Sequence, residues 1–589
     1  MGGSSHSYRQ LLATYLKPQR GRVFWLSVTL LSGIGLQLIN PQILRYFIDT
    51  AVAGGAQRIL VGAALGFMAI AIIRQGLTIA STYFGETVAW SATNALRLDL
   101  VEHCLNLDLA FHKAHTPGEL IERVDGDVDA LSRFFSQFVL QVIGNGLLVV
   151  GVLVMLWLED WRAGLGLSLF ALMALGILAR LQALAVGPWR TYRQISAEFY
   201  GFVAEHLSGL EDIRANGAVG YVMNRLYQIL RRWLAAFHKA RFTSTLLWGS
   251  TVGLFTLGNA IALALGAYLW NRNAITIGTV YLLFYYATLL QDPIERIREE
   301  LEQFQQAAAS FQRVQDLLSH QSQLRSEGQA VLPKGALSVS FEGVGFGYVE
   351  QGSRRIGEWE AGEYTLQNLT FYLPAGQTLG LIGRTGSGKS TLARLLLRLY
   401  DIQQGRICLG GVDIAQVPLR ALPQHVGMVT QEVQLFQTTV RNNLTFFDPH
   451  VSDDSILETL EALGLMPWLK ALPQGLDTQL GADSGGVSAG QAQLLAFARV
   501  FLKDPGLVML DEASSRLDPL TEQLIERAVD RLLEHRTGII IAHRLKTVER
   551  ADQILILEQG QVVEYGDRAT LLNNPRSRFA QLLHMGKTE

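Results

Sequence analysis

Three long apolar runs without a charged residue constrain this chain more than any other feature. The runs span residues 23–44, 134–158 and 242–271. Each reaches or exceeds the roughly 20 residues that cross a hydrocarbon core as a helix. With 49% hydrophobic and only 17% charged residues, the chain is also oily for a protein that lies wholly in water. We therefore expect part of it to lie in a membrane.

Three weaker apolar runs extend the same pattern. They span residues 59–84, 163–185 and 274–291. Arg74 interrupts the first and Arg180 the second, while the third is short and rich in tyrosine. An isolated arginine costs about 2.5–3.5 kcal/mol on the insertion scale, which surrounding leucine, isoleucine and alanine offset. The predicted fold is therefore an all-α six-helix transmembrane domain, with spans at about 21–50, 58–86, 134–159, 161–186, 242–271 and 274–298.

The connections between these spans alternate in length, which places short loops on one side and long connections on the other. Lysine and arginine concentrate before the first span and in the second long connection, at Lys17, Arg20, Arg22, Arg190, Arg193, Arg214, Arg225, Arg231, Arg232, Lys239 and Arg241. The positive-inside rule puts this side in the cytoplasm, so we predict a multi-pass protein of the plasma (inner) membrane. A net charge of -2 argues against nucleic acid as a partner.

Both long connections show helix-period apolar spacing, so we expect the membrane helices to continue into the cytoplasm. Near their tips, "TPGE" at 116–119 and "SGLE" at 208–211 have the spacing of a helix start. Each is either a short helix at the tip or an ordinary helix start. Before the first span, an apolar stripe predicts an elbow helix at about 7–18, ended by Pro18, that lies in the headgroup region or packs against protein.

These features assign residues 1–320 to the membrane domain, 321–335 to a linker and 336–589 to a second domain. In that second domain short apolar runs alternate with helical stretches, the pattern of an α/β fold with a parallel sheet. It contains the phosphate-binding motif of P-loop proteins in "GRTGSGKS", where a glycine-rich loop lets backbone N–H groups converge on phosphate oxygens. The expected nucleotide contacts are Gly383, Arg384, Thr385, Gly386, Ser387, Gly388, Lys389, Ser390 and Thr391.

Polar residues at the ends of predicted strands supply the remaining chemistry. We expect Lys389 to reach the β and γ phosphates, and Ser390 and Asp511 to bind Mg²⁺. Glu512, one residue further on, is placed to polarise the attacking water, as phosphoryl transfer requires. Gln431 and His543 end two more apolar runs and are candidates for the metal and the γ-phosphate.

The order of these motifs resembles the nucleotide-binding domain of ABC transporters. It runs Tyr348, "GRTGSGKS", Gln431, "VSAGQ" at 487–491, "MLDEAS", "SRLD" at 515–518 and "IIIAHR". The six spans with two long cytoplasmic connections resemble an exporter half-transporter of the same family. The resemblance implies ATP and Mg²⁺ as cofactors and ATP hydrolysis as the activity. It also implies that Tyr348 stacks on adenine, that Gln431 senses the metal, that Asp518 lies at a dimer interface and that His543 holds the γ-phosphate.

The "VSAGQ" segment, with Ser488, Gly490 and Gln491, bears on how many chains form the working transporter. Hydroxyl and amide donors at a helix N-terminus suit a phosphate. The resemblance implies that these donors serve the ATP of a second half-transporter, in a dimer embedded in membrane lipid. The chain departs from the usual family residues at Val487, Ala489, Ala482, Ala492, Leu494 and Arg516. A homodimer and a heterodimer with one better site therefore both stay open.

The implied function is ATP-driven export or flipping of a substrate by alternating access. The alternative is an ATP-gated channel or transport regulator, against which the intact Glu512 argues, because a gate that needs only binding tolerates loss of this base. The predicted spans exclude a soluble mechanochemical ATPase. Arg74 is the best candidate for a substrate contact. The sequence leaves the substrate open among lipid, peptide, drug-like compound and glycolipid, and it assigns no role to the 349–365 insertion.

Overall fold

The structure, a computed structural model, describes residues 14–324, 328–348, 365–481, 487–511, 519–542 and 545–586. Its contacts divide the chain into two compact units. The membrane unit comprises Met1–Leu105 and Gly118–Ser319, and the nucleotide unit comprises Asn106–Pro117 and His320–Glu589. A short segment from the first long connection thus packs with the C-terminal part of the chain, which the sequence did not indicate.

The N-terminal half is all helical, as predicted. Its helices are α1 (Arg20–Val52), α2 (Gln57–Asn106), α3 (Leu109–Ala114), α4 (Pro117–Ile121), α5 (Val128–Gln137), α6 (Gly144–Glu159), α7 (Trp161–Ser208), α8 (Leu210–Ala215), α9 (Val219–Asn271), α10 (Ile277–Leu289) and α11 (Gln291–Ser319). Within the described part of the chain, five helices are long and apolar enough to cross a membrane, at Thr14–Val52, Gln57–Asn106, Leu140–Glu159, Trp161–Ser208 and Val219–Asn271. The sixth apolar helix is the 13-residue α10.

The sixth helix is shorter than expected because its hydrogen-bond ladder is interrupted near Pro293. Leu290 separates α10 from α11, and its N–H still donates to Tyr286 O at 3.2 Å. Ile294 N–H donates to Leu290 O at 3.3 Å. Proline has no N–H to continue the ladder, so the apolar α10 and the charged α11 are separate helices.

Three helices are much longer than a bilayer requires. α2, α7 and α9 contain 50, 48 and 53 residues. At a rise of 1.5 Å per residue they are roughly 70–80 Å long. The hydrocarbon core is only about 30 Å thick. These helices therefore extend far beyond the membrane, as the apolar spacing of the two long connections predicted.

Two expectations concern helix ends. The predicted elbow helix at about 7–18 lies mostly outside the described residues; within them, the helical residues 14–16 lead into the turn Lys17–Gln19, which precedes α1. The "SGLE" segment precedes a short helix at the tip, α8, but Ser208 does not start it: Ser208 is the last residue of α7, and its hydroxyl donates to Ala204 O at 2.9 Å. A serine that bonds back to the preceding turn cannot cap the next helix. The "TPGE" segment does precede a short helix, which begins at Pro117.

The nucleotide unit contains two sheets, in agreement with the predicted α/β fold. Its strands are β1 (Val339–Phe346), β2 (Leu366–Leu373), β3 (Thr378–Ile382), β4 (Gln404–Leu409), β5 (Val412–Asp413), β6 (Val426–Val429), β7 (Leu507–Asp511), β8 (Thr537–Ile541), β9 (Gln553–Glu558) and β10 (Gln561–Asp567). One sheet has the order β2-β1-β4-β5, and the other has the order β10-β9-β3-β8-β7-β6. In the larger sheet the five strands from β9 to β6 are parallel.

Helices cover the strands of this unit. They are α12 (Lys389–Leu396), α13 (Leu422–His425), α14 (Val440–Thr445), α15 (Asp453–Ala462), α16 (Met466–Ala471), α17 (Ala489–Lys503), α18 (Pro519–Leu533), α19 (Arg568–Leu572) and α20 (Arg578–Gly586). Every residue of β3 and β8 is buried. Parallel strands covered on both faces read as continuous apolar runs, which is why the sequence revealed them.

Candidate active site

The glycine-rich loop between β3 and α12 has a shape that only glycine permits at several positions. Gly386 and Gly388 have φ values of +85° and +104°, in the left-handed region. A Cβ on Gly383 would lie 2.4 Å from Ser387 Oγ and 2.5 Å from Leu557 O. The loop therefore lies close to its own backbone and to β9, and α12 begins directly after it at Lys389.

Lys389, the first residue of α12, is bound to the loop itself. Its Nζ donates to Gly383 O at 2.6 Å and to Arg384 O at 3.1 Å. Phosphate oxygens that enter the loop would compete with these carbonyls for the ammonium group. Among the described residues, the buried Ser387 Oγ has no hydrogen-bond partner. An orphaned hydroxyl inside a glycine-lined loop fits an incoming phosphate group.

The parallel strands bring the other predicted elements to the edge of the sheet where this loop lies. β3 pairs with β8, β8 with β7, and β7 with β6. Asp511 ends β7 opposite Ile541 of β8, and the exposed Gln431 lies two residues beyond β6. Three predicted site residues, Glu512, Asp518 and His543, lie outside the described residues.

Tyr348 lies two residues beyond β1, and its hydroxyl connects it to α12. Its oxygen is 3.1 Å from Thr391 Oγ1, and Arg394 Nη1 donates to it at 3.2 Å. Thr391 is buried, whereas Ser390 is exposed at the mouth of the loop. Tyr348 is therefore tied to the helix that starts at the phosphate loop. No local sequence pattern marks Arg394, because its partner Tyr348 lies 46 residues away along the chain.

The "VSAGQ" segment forms the N-terminus of α17. Gln491 N–H donates to Ser488 Oγ at 3.2 Å, and Ser488 N–H donates to Gln491 Oε1 at 2.9 Å, which makes a capping box. The Ser488 hydroxyl is an acceptor in this arrangement, so its own proton is available to an outside acceptor. Ala492 and Leu494, two departures from the family pattern, are buried in the core of this region.

Further along α17, a half-buried arginine holds the helix against α14. Arg499 Nε donates to Asn443 O at 2.7 Å, and its guanidinium lies 4.7 Å from the centre of the Phe446 ring. Burial lowers the pKa of Arg499 to about 10, so the side chain stays protonated at neutral pH. The helix that carries Ser488 is therefore fixed at its far end by a charged group.

The membrane unit contains a cavity of about 480 Å³ lined by both polar and apolar groups. Its lining residues come from α1, α2, α6, α10, α11 and the π-helical turn Phe138–Ile143. Arg74 of α2 and Arg296 of α11 both line it. Within the described part of the chain, the buried Arg74 Nε makes no hydrogen bond. Arg296 Nη1 donates to Gln141 Oε1 at 3.1 Å.

Asp292 of α11 lines this cavity as well, whereas Arg45, Glu86 and Arg180 do not. Arg45 forms an ion pair with Glu159 at 2.5 Å, and Gln42 Nε2 donates to the same carboxylate at 2.9 Å. Glu86 is half-buried and Arg180 is exposed. Arg45 is therefore paired within the protein, whereas Arg74 and Arg296 face the cavity.

A helical membrane unit joined to a unit with a phosphate-binding loop defines an ATP-driven membrane transporter. Comparison with known families agrees: residues 23–294 match the family described as ABC transporter transmembrane region, and residues 366–515 match the family described as ABC transporter. The chain therefore belongs to the ABC transporter family. Its organisation is that of an exporter-type half-transporter, an ATP hydrolase coupled to export or flipping of a substrate.

Individual relatives match most of the length of the chain. An ATP-dependent lipid A-core flippase of Colwellia psychrerythraea is 29% identical over 97% of this chain and 95% of its own. A fatty acid ABC transporter ATP-binding/permease protein of Mycobacterium bovis is 32% identical over 81% of this chain and 74% of its own. A solved bacterial Atm1-family ABC exporter with ATP bound is 26% identical, has a TM-score of 0.80 and covers 97% of this chain and 99% of that one.

Proposed function

We propose that this exporter moves an amphipathic anion whose acidic group binds Arg74 and Arg296 in the cavity of the membrane unit. The observation that carries the proposal is the buried Arg74 Nε, which makes no hydrogen bond among the described residues. A buried charged donor without a partner is costly. An acidic group in the cavity would supply the missing acceptor and reduce that cost.

The rest of the cavity suits an amphiphile. Its volume of about 480 Å³ lies in the usual range for small-molecule sites. The amide side chains of Gln141 and Asn145 and the hydroxyl of Thr78 line it together with Leu30 and Leu148. Lipid A-core and fatty acid, the substrates in the names of two relatives, both combine acidic groups with long hydrocarbon chains.

The test is substrate stimulation of ATP hydrolysis in proteoliposomes. Fatty acids and phosphorylated glycolipids would be compared with uncharged amphiphiles of the same chain length. For Arg74→Gln we expect the anion concentration for half-maximal stimulation to rise roughly ten- to hundredfold, the loss of one charged hydrogen bond. Arg74→Lys should lose less, and Arg180→Gln, an exposed arginine outside the cavity, is the matched control. Equal responses to charged and uncharged amphiphiles in the wild type would refute the proposal.

We assign the roles at the nucleotide site as follows. Lys389 binds the β and γ phosphates of ATP, and Tyr348 stacks on adenine. Mg²⁺ is held by Ser390, Asp511 and Gln431, whose oxygens are the ligands that this hard cation prefers. Glu512 polarises the attacking water, and His543 holds the γ-phosphate. The parallel order of β3, β8, β7 and β6 supports this grouping, because it brings the ends of those strands to one edge.

The assignment of Glu512 has a direct test. Glu512→Gln keeps the shape of the side chain but removes the charge that orients the water. We expect hydrolysis to fall by at least about a hundredfold, the contribution typical of general base catalysis, while ATP binding is retained. Comparable turnover in both proteins would remove Glu512 from this role.

We further propose that the working unit is a dimer, with the long side in the cytoplasm of a plasma (inner) membrane protein. Ser488 can donate to a phosphate, but its own chain already has a phosphate loop. The short α8, at the tip of the long connection between α7 and α9, has no buried residue. A second half-transporter would supply a partner for both. The homodimer and the heterodimer both stay open.

A further inference from the structure

The short helix α3 is fastened within the nucleotide unit by its capping residue. Asp108 is 9% exposed, and its two carboxylate oxygens accept hydrogen bonds from Phe111 N–H and Gln323 N–H, both at 2.9 Å. The first bond caps α3, and the second joins it to the chain that follows α11. Leu109 and Ala110 pack against the core of the same unit, and Phe111 is buried. The position of α3 is therefore well determined.

Two residues beyond Phe111, the side chain of Lys113 lies in a corner formed by two tyrosines. Its Nζ is 4.3 Å from the centre of the Tyr348 ring and 5.6 Å from the centre of the Tyr400 ring. The two ring centres are 5.3 Å apart and their planes meet at 86°. An ammonium group within about 6 Å of a ring face is attracted by its quadrupole. Lys113 thus contacts two rings at once.

Tyr348 is held at its other end by α12. Its hydroxyl is bonded to Thr391 Oγ1 and accepts from Arg394, as described above. Phe346 and Tyr400 meet it nearly at right angles, with ring centres 5.0 and 5.3 Å away. The hydroxyl bonds and the two rings leave little freedom to the Tyr348 ring, and the ammonium of Lys113 adds a contact over its face.

We propose that Lys113 is a positioning residue for the adenine base of ATP. Its ammonium orients the Tyr348 ring before nucleotide arrives, so that the base meets a ring already in the stacking orientation. The inference rests on the proposed assignment of Tyr348 to adenine. It makes α3, a segment inserted between two membrane helices, part of the nucleotide site.

By thermodynamic linkage, the coupling between adenine stacking on Tyr348 and the contact of Lys113 with Tyr348 acts in both directions. If Lys113 strengthens adenine stacking on Tyr348, then bound adenine strengthens the contact of Lys113 with Tyr348 by the same factor. Base binding would therefore tighten the hold of the nucleotide unit on α3. The phosphate end of the nucleotide contacts a different part of the site, around Lys389, and gains nothing from Lys113.

The experiment compares binding of ATP and of inorganic tripolyphosphate to the full chain in detergent, without Mg²⁺, by displacement of a fluorescent ATP analogue. For Lys113→Met we expect the Kd of ATP to rise roughly three- to tenfold, the range of one cation–π contact. The Kd of tripolyphosphate should stay unchanged. Lys113→Arg should restore ATP binding, because arginine keeps the cation. Lys470→Met, at an exposed lysine elsewhere in this unit, is the matched control.

The result separates this inference from the assignment on which it rests. If Tyr348→Ala weakens ATP binding but Lys113→Met does not, the role of Lys113 is wrong and that of Tyr348 stands. If Tyr348→Ala leaves ATP binding unchanged, both are wrong. Tighter ATP binding by Lys113→Met, or equal loss for ATP and tripolyphosphate, would also overturn the inference. In a Tyr348→Ala background, Lys113→Met should have no further effect.

Discussion

Replacing Asp108 with alanine removes both hydrogen bonds that fasten α3 to the nucleotide unit. The carboxylate accepts from Phe111 N–H and Gln323 N–H, and its low exposure of 9% leaves little water to replace them. In Asp108→Ala both backbone donors lose their partner. The helix also loses its N-cap, while the contacts of Leu109, Ala110 and Phe111 stay in place.

The size of the effect follows from the two bonds. A hydrogen bond to a charged group contributes about 1.5–3 kcal/mol, and an N-cap alone about 1 kcal/mol. We therefore expect the free energy of local opening of α3 to fall by about 3 kcal/mol. Each 1.36 kcal/mol is a factor of ten, so amide exchange in α3 should accelerate by roughly a hundredfold.

Hydrogen exchange of the full chain, read by mass spectrometry on peptides that cover residues 109–114, measures this opening. Asp108→Asn keeps one acceptor oxygen and should show about half the loss in free energy. Ser452→Ala removes the cap of α15, where Ser452 Oγ accepts from Ser455 N–H at 3.3 Å. That control should change exchange in α15 and leave α3 unaffected. Unchanged exchange at 109–114 in Asp108→Ala would refute the reasoning.

Two further predictions concern the phosphate loop and the helix that carries Ser488. Gly383→Ala should abolish ATP binding, because its Cβ would lie 2.5 Å from the Leu557 carbonyl oxygen. The control Gly566→Ala should bind ATP normally, because its Cβ meets side-chain atoms no closer than 3.6 Å. Normal ATP binding by Gly383→Ala would contradict this prediction. Burial lowers the pKa of Lys503, whose Nζ donates to Val426 O at 3.0 Å. Between this lowered pKa and the usual lysine pKa of about 10.4, the unfolded chain binds more protons than the folded chain. The free energy of unfolding therefore rises with pH over that interval. As the pH approaches the usual lysine pKa from below, the thermal unfolding midpoint should therefore rise relative to that of Lys503→Met, and parallel curves would contradict the assignment.

Local patterns in the sequence predicted the parts of the molecule that depend on local rules. Charge-free runs revealed the membrane helices because hydrocarbon excludes charge over a fixed length. The phosphate loop was evident because its glycines and Lys389 are contiguous. Its grouping with Asp511 and Gln431 followed from the ends of parallel strands sharing one edge.

The contacts that join distant parts of the chain were not predictable in this way. The bond from Gln323 to Asp108 and the contact between Lys113 and Tyr348 link separate segments, and no local spacing marks them. Local spacing was also misleading at Ser208, whose hydroxyl bonds back into its own helix. Arg74 was singled out by its place in an apolar run, but only the cavity showed what it faces.

In the proposed dimer, ATP is bound between the phosphate loop of one subunit and Ser488 of the other. Two inactive variants of this chain test it in one measurement of ATP hydrolysis. Lys389→Ala has no working phosphate loop, and Ser488→Arg has no working donor for the opposite site. Each should be inactive alone, with a thermal unfolding midpoint like that of the active wild type.

Co-reconstituted in one membrane, the two variants form mixed dimers. In these, Lys389 of one chain faces Ser488 of the other and completes one site. The account predicts that ATP hydrolysis returns in the mixture. A mixture that stays inactive, although mixed dimers have formed and the wild type hydrolyses ATP, would show that each site lies within a single chain and would contradict the account.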